Sequence, residues 1–290
     1  MNHEVEITLL ADYDSVELAI IDLTGTTKSQ LKKYSFSKSF LSKDAHTRML
    51  LKIPIDLMNY LKISPLYTGD KKPKILGETD HILALSKPAK IHSHPHCYSD
   101  TENLLSGFYA LGIQQYLALN LDRYDRGLLY RLDYETSGLI LYAKTKEAYE
   151  SIRTKYSDSA LEKVYRAVVP AGVPQGEHEH YIRPTGSRGS KMTEAQRDGE
   201  KVNIKVKEIK SHSKYSLIEV KLKQGKRHQI RAQLSILGFP IVGDPLYGGD
   251  SHDRLLLHCF EYSIEYKHSI STFKDEETGE LEDFLLSSHE

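Results

Sequence analysis

Two polar segments of this 290-residue chain hold residues that could carry out chemistry together. In the first, LLYRLDYETSGLILYAKT (128–145), two apolar runs predict two strands around a turn that contains Arg131 and Asp133. Side chains two residues apart in an extended chain share a face, and a guanidinium keeps a neighbouring carboxylate ionised. An ionised aspartate at a strand end can act as a nucleophile or a base. A structural ion pair within a turn would explain the same local pattern.

The second segment, QGKRHQIRAQL (224–234), places Arg227, His228, Gln229 and Arg231 where a strand passes into a helix. The amino end of a helix favours anions and disfavours cations, so an arginine in its first turn requires an anionic partner. That partner can be a carboxylate or a phosphate. Basic side chains beside amide donors are suited to contact the phosphate backbone of a nucleic acid. A solvated basic start to the helix is the alternative.

Two other kinds of chemistry are disfavoured. In KIHSHPHC (90–97), His92, His94 and His96 would share one face of a strand, as zinc ligands can. Pro95 interrupts that strand and the sequence shows no nearby carboxylate, so no metal is predicted. Asp133 and Glu135 could form a glycosidase pair, but such carboxylates usually come from different elements. The chain also has no Trp to serve as a sugar platform.

Charge and composition describe a globular chain with segregated charge. Its net charge is −1, yet residues 28–52 hold seven Lys or Arg and one Asp, whereas residues 271–290 hold seven acids and one Lys. Local basic faces that could bind nucleic acid are therefore possible. Cys97 and Cys259 form no CxxC pair, and neither a signal-peptide layout nor an apolar run of about 20 residues is present. We expect a reducing, cytoplasmic location and no membrane partner.

The elements that must position these residues indicate an α+β fold. Apolar residues alternate with polar ones in VNIKVKEI (202–209) and in SLIEVKLK (216–223), which predicts amphipathic strands. RHQIRAQLSILGFP (227–240) has helical spacing and ends in Gly238 and Pro240. Short connections predict a mixed, largely antiparallel central sheet flanked by helices and loops. We divide the chain into an N-terminal extension (1–74), a main domain (75–270) and a flexible acidic tail (271–290).

Five segments resemble, in order, the motifs of the RluA family of pseudouridine synthases. They are LSKPAKIHSHPH (85–96), YRLDYETSGLILYAKT (130–145), EKVYRAVV (162–169), QGKRHQIRAQLSILGFPIVGDPLYGG (224–249) and RLLLHCFEYSI (254–264). The resemblance covers about two thirds of the chain. The sequence departs from the family pattern at Tyr130 (usually His), Lys90 (Gly), Gln224 (Thr), Lys226 (Arg), and Ala232 and Gln233 (a branched residue and His).

The resemblance implies isomerisation of uridine to pseudouridine in RNA without a cofactor. Asp133 matches the essential aspartate, which either attacks the sugar or the ring or abstracts a sugar proton. Tyr165 matches the tyrosine that stacks on the uracil, and Arg231 matches the basic residue that pairs with the aspartate. Arg131 matches an arginine that helps to flip the target nucleotide, because a stacked base must be extruded before it can react.

The partner implied is ribosomal or transfer RNA, bound by a monomer. We expect the RNA-binding residues to be Arg131, Thr136, Lys226, Arg227, His228 and Gln229. The extension (1–74) could be a degenerate form of the small RNA-binding domain that many relatives carry. An RNA-binding or ribosome-assembly factor with little catalysis is the alternative, because Tyr130 and Gln224 depart from the family motifs.

Overall fold

The computed structural model describes residues 4–154, 160–223 and 225–287, and Gln224 lies outside these ranges. In chain order the elements are β1 (Glu4–Thr8), α1 (Val16–Thr24), α2 (Lys28–Leu31), α3 (Lys38–Leu41), β2 (Leu50–Pro54), α4 (Ile55–Met58), β3 (Lys74–Glu78), β4 (Ile82–Lys87), α5 (Leu104–Ala110), β5 (Ser137–Ala143), α6 (Lys146–Thr154), β6 (Ala160–Pro170), β7 (Gly176–Thr185), β8 (Lys191–Ala195), β9 (Glu200–Ser211), β10 (Tyr215–Leu222), α7 (Gln229–Ile236), β11 (Leu257–Tyr266), β12 (Ser269–Lys274) and α8 (Gly279–Ser287). Short 3-10 helices lie at Gln114–Ala118 and Ser187–Gly189.

A large mixed sheet forms the body of the protein. Its strands follow the order β3-β4-β5-β11-β6-β10-β9-β7-β8, and β12 pairs with the second half of β11. Among the described strands, β5 and β11 run parallel and the other neighbours in this sheet run antiparallel. The predicted α+β class and the largely antiparallel sheet are therefore confirmed.

Side-chain alternation places the core as the sequence predicted. In β9, Val202, Ile204 and Val206 are buried, whereas Asn203 and Lys205 between them are exposed. Every residue of β4 and β5 is buried. Because successive side chains of a strand point to opposite faces, both faces of the sheet are covered here. Gly238 follows α7 with a φ of +85°, the left-handed conformation that ends many helices.

The parallel pairing of β5 and β11 depends on Gly138. This glycine lies opposite Cys259 and has a φ of +111°. A Cβ at this position would lie 2.4 Å from the carbonyl oxygen of Cys259 and 2.6 Å from its nitrogen. The Thr-Ser-Gly sequence thus lets the chain that leaves the Asp133 loop approach the centre of the sheet closely.

The apolar run before Asp133 is not a strand, so that part of the prediction was wrong. Leu128 makes an isolated antiparallel bridge with Tyr142, and the chain then leaves the sheet. Leu132 is buried, and its backbone N–H and C=O bond to the Ser93 hydroxyl at 3.0 and 2.9 Å. A neighbouring loop therefore supplies the hydrogen bonds that a strand would have supplied.

The N-terminal residues build a small unit with its own core. Strands β1 and β2 pair antiparallel, and α1 is capped by the Ser15 hydroxyl and ends at Gly25 in the left-handed conformation. The buried apolar residues of this N-terminal unit are Leu9, Val16, Ala19, Ile20, Leu31, Ala45, Leu51, Ile53 and Leu57. The main sheet begins with β3 at Lys74. That this unit is a degenerate RNA-binding domain stays a prediction.

The acidic C-terminal segment differs from the flexible tail that its charge indicated. Strand β12 extends the sheet, and α8 buries Leu281 and Leu285 completely against a cluster that includes Val168. The acids of α8 face arginines: Glu280 accepts a hydrogen bond from the Nε of Arg254 at 2.8 Å. Apolar residues at an i, i+4 spacing and cationic partners thus offset the acidic composition, which alone favoured disorder. Residues 288–290 lie outside the described ranges.

No helix within the described ranges is long and apolar enough to cross a membrane.

Candidate active site

A cleft of about 930 Å³ opens beside the start of β5, the start of β6 and the amino end of α7. It brings together all nine residues that the sequence predicted for catalysis or RNA binding, namely Arg131, Asp133, Thr136, Tyr165, Lys226, Arg227, His228, Gln229 and Arg231. Several distant segments of the chain therefore meet at one concave surface, as expected of a ligand site.

Asp133 lies on a loop that is supported by residues 85–96, the first of the five motif segments. The Nζ of Lys87 donates to the carbonyl oxygens of Pro88, Ile91 and Tyr134 at 2.8, 2.9 and 3.4 Å. Burial lowers the pKa of Lys87 to about 7, although Asp133 and Glu135 act in the opposite direction. The buried Lys87 thus joins residues 85–96 to Tyr134, the residue that follows Asp133.

Lys90 stands where the family motif usually has glycine, and the structure shows what the position requires. Its φ is +62°, in the left-handed region that glycine adopts most readily. The backbone N–H of Lys90 donates to the carbonyl oxygen of Tyr134 at 2.8 Å. The departure therefore preserves the turn that supports the Asp133 loop.

The Asp133 carboxylate remains accessible and faces two basic groups. Its side chain is 29% exposed, and its Oδ2 lies 3.6 Å from the Nη1 of Arg231. The same oxygen lies 3.8 Å from the Nε2 of His228. The predicted pairing of Asp133 with the distant Arg231 is therefore present, whereas the Arg131 side chain contacts His94.

Arg231 has a closer partner that sequence reasoning missed. Its Nε and Nη2 donate to the two oxygens of Asp244 at 2.7 and 2.9 Å, and its side chain is only 3% exposed. Its Nη1 also donates to Glu135 at 3.4 Å. Although burial alone would lower the pKa of Arg231, these carboxylates raise it above its usual value. Asp244 stands in the Gly-Asp-Pro of the fourth motif, the one signal that pointed to it.

His228 precedes α7 in the left-handed conformation, with a φ of +51°. Its Nδ1 lies 3.2 Å from the hydroxyl of Tyr247, which also accepts a hydrogen bond from the Met192 N–H at 2.9 Å. Burial lowers the pKa of His228, and Arg231 lowers it further while Asp133 opposes the shift. A mainly neutral imidazole therefore lies beside Asp133 at neutral pH.

Tyr165 lies on β6 opposite Cys259 and borders the cleft with only 8% of its surface exposed. Tyr130, which replaces the family histidine, is buried nearby and donates its hydroxyl proton to the carbonyl oxygen of Leu139 at 2.8 Å. The Nζ of Lys163 lies 3.9 Å from the centre of the Tyr130 ring. Tyr130 is thus accommodated in the wall beneath the cleft by a backbone hydrogen bond and a cation–π contact.

Arg131 occupies the exposed mouth of the cleft. Its Nη1 lies 3.3 Å from the Nε2 of His94, whose Nδ1 lies 2.9 Å from the carbonyl oxygen of Pro95. Because a carbonyl only accepts, the Nδ1 of His94 carries the proton and its Nε2 accepts from Arg131. Among the described residues, no carboxylate contacts the Arg131 guanidinium at the entrance of the cleft.

The other residues predicted to bind RNA differ in availability. Arg227 and Lys226 reach the rim, where Arg227 donates to the carbonyl oxygen of Gly189 at 2.8 Å and Lys226 pairs with Glu200. Thr136 and Gln229 are buried, and Gln229 bonds to the Lys226 N–H and to the Asn203 carbonyl. Their contact with RNA stays a prediction, and their visible role is to hold the walls of the cleft.

In the structure, a carboxylate lies beside the histidines of residues 90–97, which the sequence of that segment did not show. Asp100 turns back so that its Oδ2 lies 3.2 Å from the Nδ1 of His96. The ring of His92 meets that of His96 edge-on, with 4.4 Å between the centroids. His92, His96 and Asp100 therefore form a compact group at one rim of the cleft.

Comparisons with known proteins show which proteins this chain is similar to. Residues 81–236 match the family model described as RNA pseudouridylate synthase. The chain is 33% identical over 214 residues to the ribosomal large subunit pseudouridine synthase D of Neisseria meningitidis, a match that covers 68% of this chain and 56% of that protein. It is 32% identical over 182 residues to the protein of the same name from Pseudomonas aeruginosa, covering 62% and 55%. The chain thus spans little more than half the length of these relatives.

Solved structures show the same fold. The human RNA pseudouridylate synthase domain containing 1 superposes with a TM-score of 0.56 at 18% identity, covering 77% of this chain and 98% of that one. The human RNA pseudouridylate synthase domain containing 4 gives a TM-score of 0.54 at 19% identity, covering 70% and 88%. At 18% and 19% identity, this similarity concerns the fold alone, that is, the arrangement of the sheet and its helices.

Proposed function

The chain belongs to the RNA pseudouridylate synthase family, in its RluA branch, and we propose on that basis that it converts specific uridines of ribosomal RNA to pseudouridine. The reaction breaks the bond between N1 of uracil and C1′ of ribose and forms a bond between C5 and C1′. C5 loses its hydrogen to solvent and N1 gains a proton, so substrate and product are isomers. No cofactor takes part.

One observation carries the proposal. The motif aspartate, Asp133, presents an accessible carboxylate to the cleft 3.6 Å from the buried Arg231, with Tyr165 in the same wall. An ionised carboxylate in a partly enclosed site is suited to act on the sugar or the ring, as a nucleophile or as a base. Arg231 supplies a fixed positive charge opposite it, and Asp244 and Glu135 hold that charge in place.

The cleft is large enough for an extruded nucleotide. Its volume of about 930 Å³ lies within the range of sites that enclose small organic molecules. We propose that Arg131 at the mouth enters the space that the flipped base leaves, and that Tyr165 stacks on the uracil and helps to remove its surplus proton. Extrusion costs least in loops, where specific RNA recognition is concentrated.

The choice of ribosomal over transfer RNA rests on the names of the relatives, which refer to the ribosomal large subunit. The other parts of the proposal are a cytoplasmic location and a monomeric protein. A factor that binds RNA without turnover is the competing function, and it was motivated by Tyr130 and Gln224. The contacts of Tyr130 with Leu139 and Lys163 weaken that motivation, because they hold Tyr130 in the wall while Asp133 faces Arg231 at 3.6 Å.

Mapping pseudouridine across the transcriptome tests the proposal and identifies the substrate. We expect one or a few sites to disappear from cells that lack the gene and to return with the wild-type gene. They should also return with Asp122→Asn, an exposed aspartate outside the cleft, and stay absent with Asp133→Asn. An unchanged map without the gene, or full restoration by Asp133→Asn, would refute the assignment.

A further inference from the structure

The rim group of His92, His96 and Asp100 has the composition of a metal site. Each residue offers one ligand atom, and these atoms lie within 4.8 Å of one another. Two imidazoles and a carboxylate are the ligands of many zinc sites, and imidazole also suits the neighbouring transition metals. The sequence argued against metal because no carboxylate stood near the histidines, and Asp100 removes that objection.

Hydrogen bonds within the loop hold the three ligand residues in position. The N–H of His92 donates to the carbonyl oxygen of Glu102 at 2.9 Å, and His92 pairs with Asn103 as a parallel bridge. The side-chain amide of Asn103 donates to the carbonyl oxygen of Asp100 at 2.8 Å. Asp100 also accepts a hydrogen bond from the backbone N–H of His96 at 3.1 Å. These hydrogen bonds close the loop and keep the three ligand atoms within 4.8 Å of one another.

The N-terminal unit fixes the same loop from outside. The carboxylate of Asp56, at the start of α4, accepts hydrogen bonds from the N–H and the hydroxyl of Ser99 at 2.9 and 3.0 Å. Ser99 immediately precedes Asp100. The group is thus built where the N-terminal unit meets the cleft, and a rigid support of this kind is what metal ligands require.

Closing the group around an ion needs only a small movement. Ligands at about 2.0–2.1 Å in a tetrahedral zinc site lie roughly 3.4 Å from one another. The His96 nitrogen and the Asp100 oxygen are already 3.2 Å apart, and the His96 side chain is 64% exposed and able to turn. A salt bridge would explain the contact between His96 and Asp100 by itself, but it does not account for His92 against the His96 ring.

We propose that His92, His96 and Asp100 bind a divalent transition-metal ion of the zinc class, whose fourth coordination position accepts a phosphate oxygen of the RNA. Both histidines line the cleft, and the His92 ring lies 4.8 Å from that of Tyr134, the neighbour of Asp133. An ion held by three protein ligands keeps one position open. The ion acts at the rim, apart from the isomerisation, and the phosphate contact rests on the proposed function.

The metal site is tested without RNA. The chelator-stripped protein is titrated with Zn²⁺ against a chromophoric chelator, and we expect one equivalent to bind. His96→Gln and Asp100→Asn should each weaken binding at least roughly 10-fold. His268→Gln is the matched control, because His268 also faces a carboxylate, at 3.9 Å, but is fully exposed and belongs to no group of three such ligands among the described residues.

Cys97→Ser excludes a thiolate as the source of binding, because Cys97 lies beside His96 and is partly exposed. We expect this variant to bind Zn²⁺ as the wild type does. The metal site is refuted if the wild type binds no stoichiometric Zn²⁺, if His96→Gln and Asp100→Asn bind normally, or if Cys97→Ser abolishes binding.

RNA affinity measured with and without Zn²⁺ tests the phosphate contact separately. We expect Zn²⁺ to increase the affinity of the wild type and to leave that of Asp100→Asn unchanged. If Zn²⁺ binds but RNA affinity does not change, the phosphate contact is refuted and the metal site stands. Failure of the proposed function would show instead as absent pseudouridine formation with Zn²⁺ binding intact.

Discussion

The buried pair of Arg231 and Asp244 offers a quantitative test of how the cleft is held together. Asp244→Asn keeps the shape of the side chain and removes its charge. The Nε and Nη2 of Arg231 now meet two carboxylate oxygens at 2.7 and 2.9 Å, in a place where Asp244 is fully buried. The substitution leaves a buried guanidinium whose remaining carboxylates, Glu135 and Asp133, lie at 3.4 and 3.6 Å.

The expected loss is about 3 kcal/mol in the free energy of unfolding. Removing one partner of a buried ion pair costs about 3–5 kcal/mol. The lower end applies because two other carboxylates partly compensate for the charge. Asp198→Asn is the matched control: Asp198 pairs with Arg183 at 2.9 Å, but the two side chains are 60% and 58% exposed. An exposed pair contributes about 0–1 kcal/mol, so burial is the variable that the comparison isolates.

Urea unfolding followed by circular dichroism measures both variants, since the chain has no Trp. Arg231→Met combined with Asp244→Asn should cost less than the sum of the single changes, because the double variant leaves no unpaired buried charge. A loss for Asp244→Asn as small as that for Asp198→Asn, or strict additivity in the double variant, would refute the reasoning.

Three further predictions use other contacts. Gly138→Ala should lower the melting temperature far more than Gly172→Ala, because the new Cβ would meet the Cys259 carbonyl oxygen at 2.4 Å. A Cβ added at Gly172 would come within 4 Å of no described residue other than its chain neighbours. Because burial lowers the pKa of Lys87 from 10.5 to about 7, the unfolded state binds more protons in that range. The free energy of unfolding should therefore rise with pH between about 7 and 10.5, by up to a few kcal/mol, and Lys87→Met should flatten this rise in urea unfolding at several pH values. Arg131→Ala should weaken RNA binding and make the slope of log affinity against log salt shallower by about 0.7, and an unchanged slope would count against a phosphate contact.

Local patterns were sufficient for much of the fold and for the centre of the site. Alternation in residues 202–209 and 216–223 predicted β9 and β10, because the period of two is set by the strand itself. The motif order predicted that Asp133, Tyr165 and Arg231 would meet, and the structure places all three in one cleft. These are features that neighbouring residues determine or that the family resemblance transfers.

Contacts between distant segments were not predictable in the same way. Asp244 follows Arg231 by thirteen residues, and the pairing depends on how the chain turns after α7. Asp100 reaches His96 only because the chain turns back after Pro95, and the sequence pattern of residues 90–97 did not show that turn. The flexibility of the acidic tail was predicted from its charge. The packing of Leu281 and Leu285 depends on the apolar surface of the sheet, which the sequence of the tail does not contain.

Release of tritium from RNA labelled at C5 of uridine tests the central claim most directly. Forming the bond between C5 and C1′ expels the hydrogen at C5, so each pseudouridine made releases one label. With unmodified ribosomal RNA of the large subunit, we expect release by the wild type and by Asp122→Asn, and none by Asp133→Asn. Release by Asp133→Asn at the wild-type rate, or no release by the wild-type protein, would contradict the account.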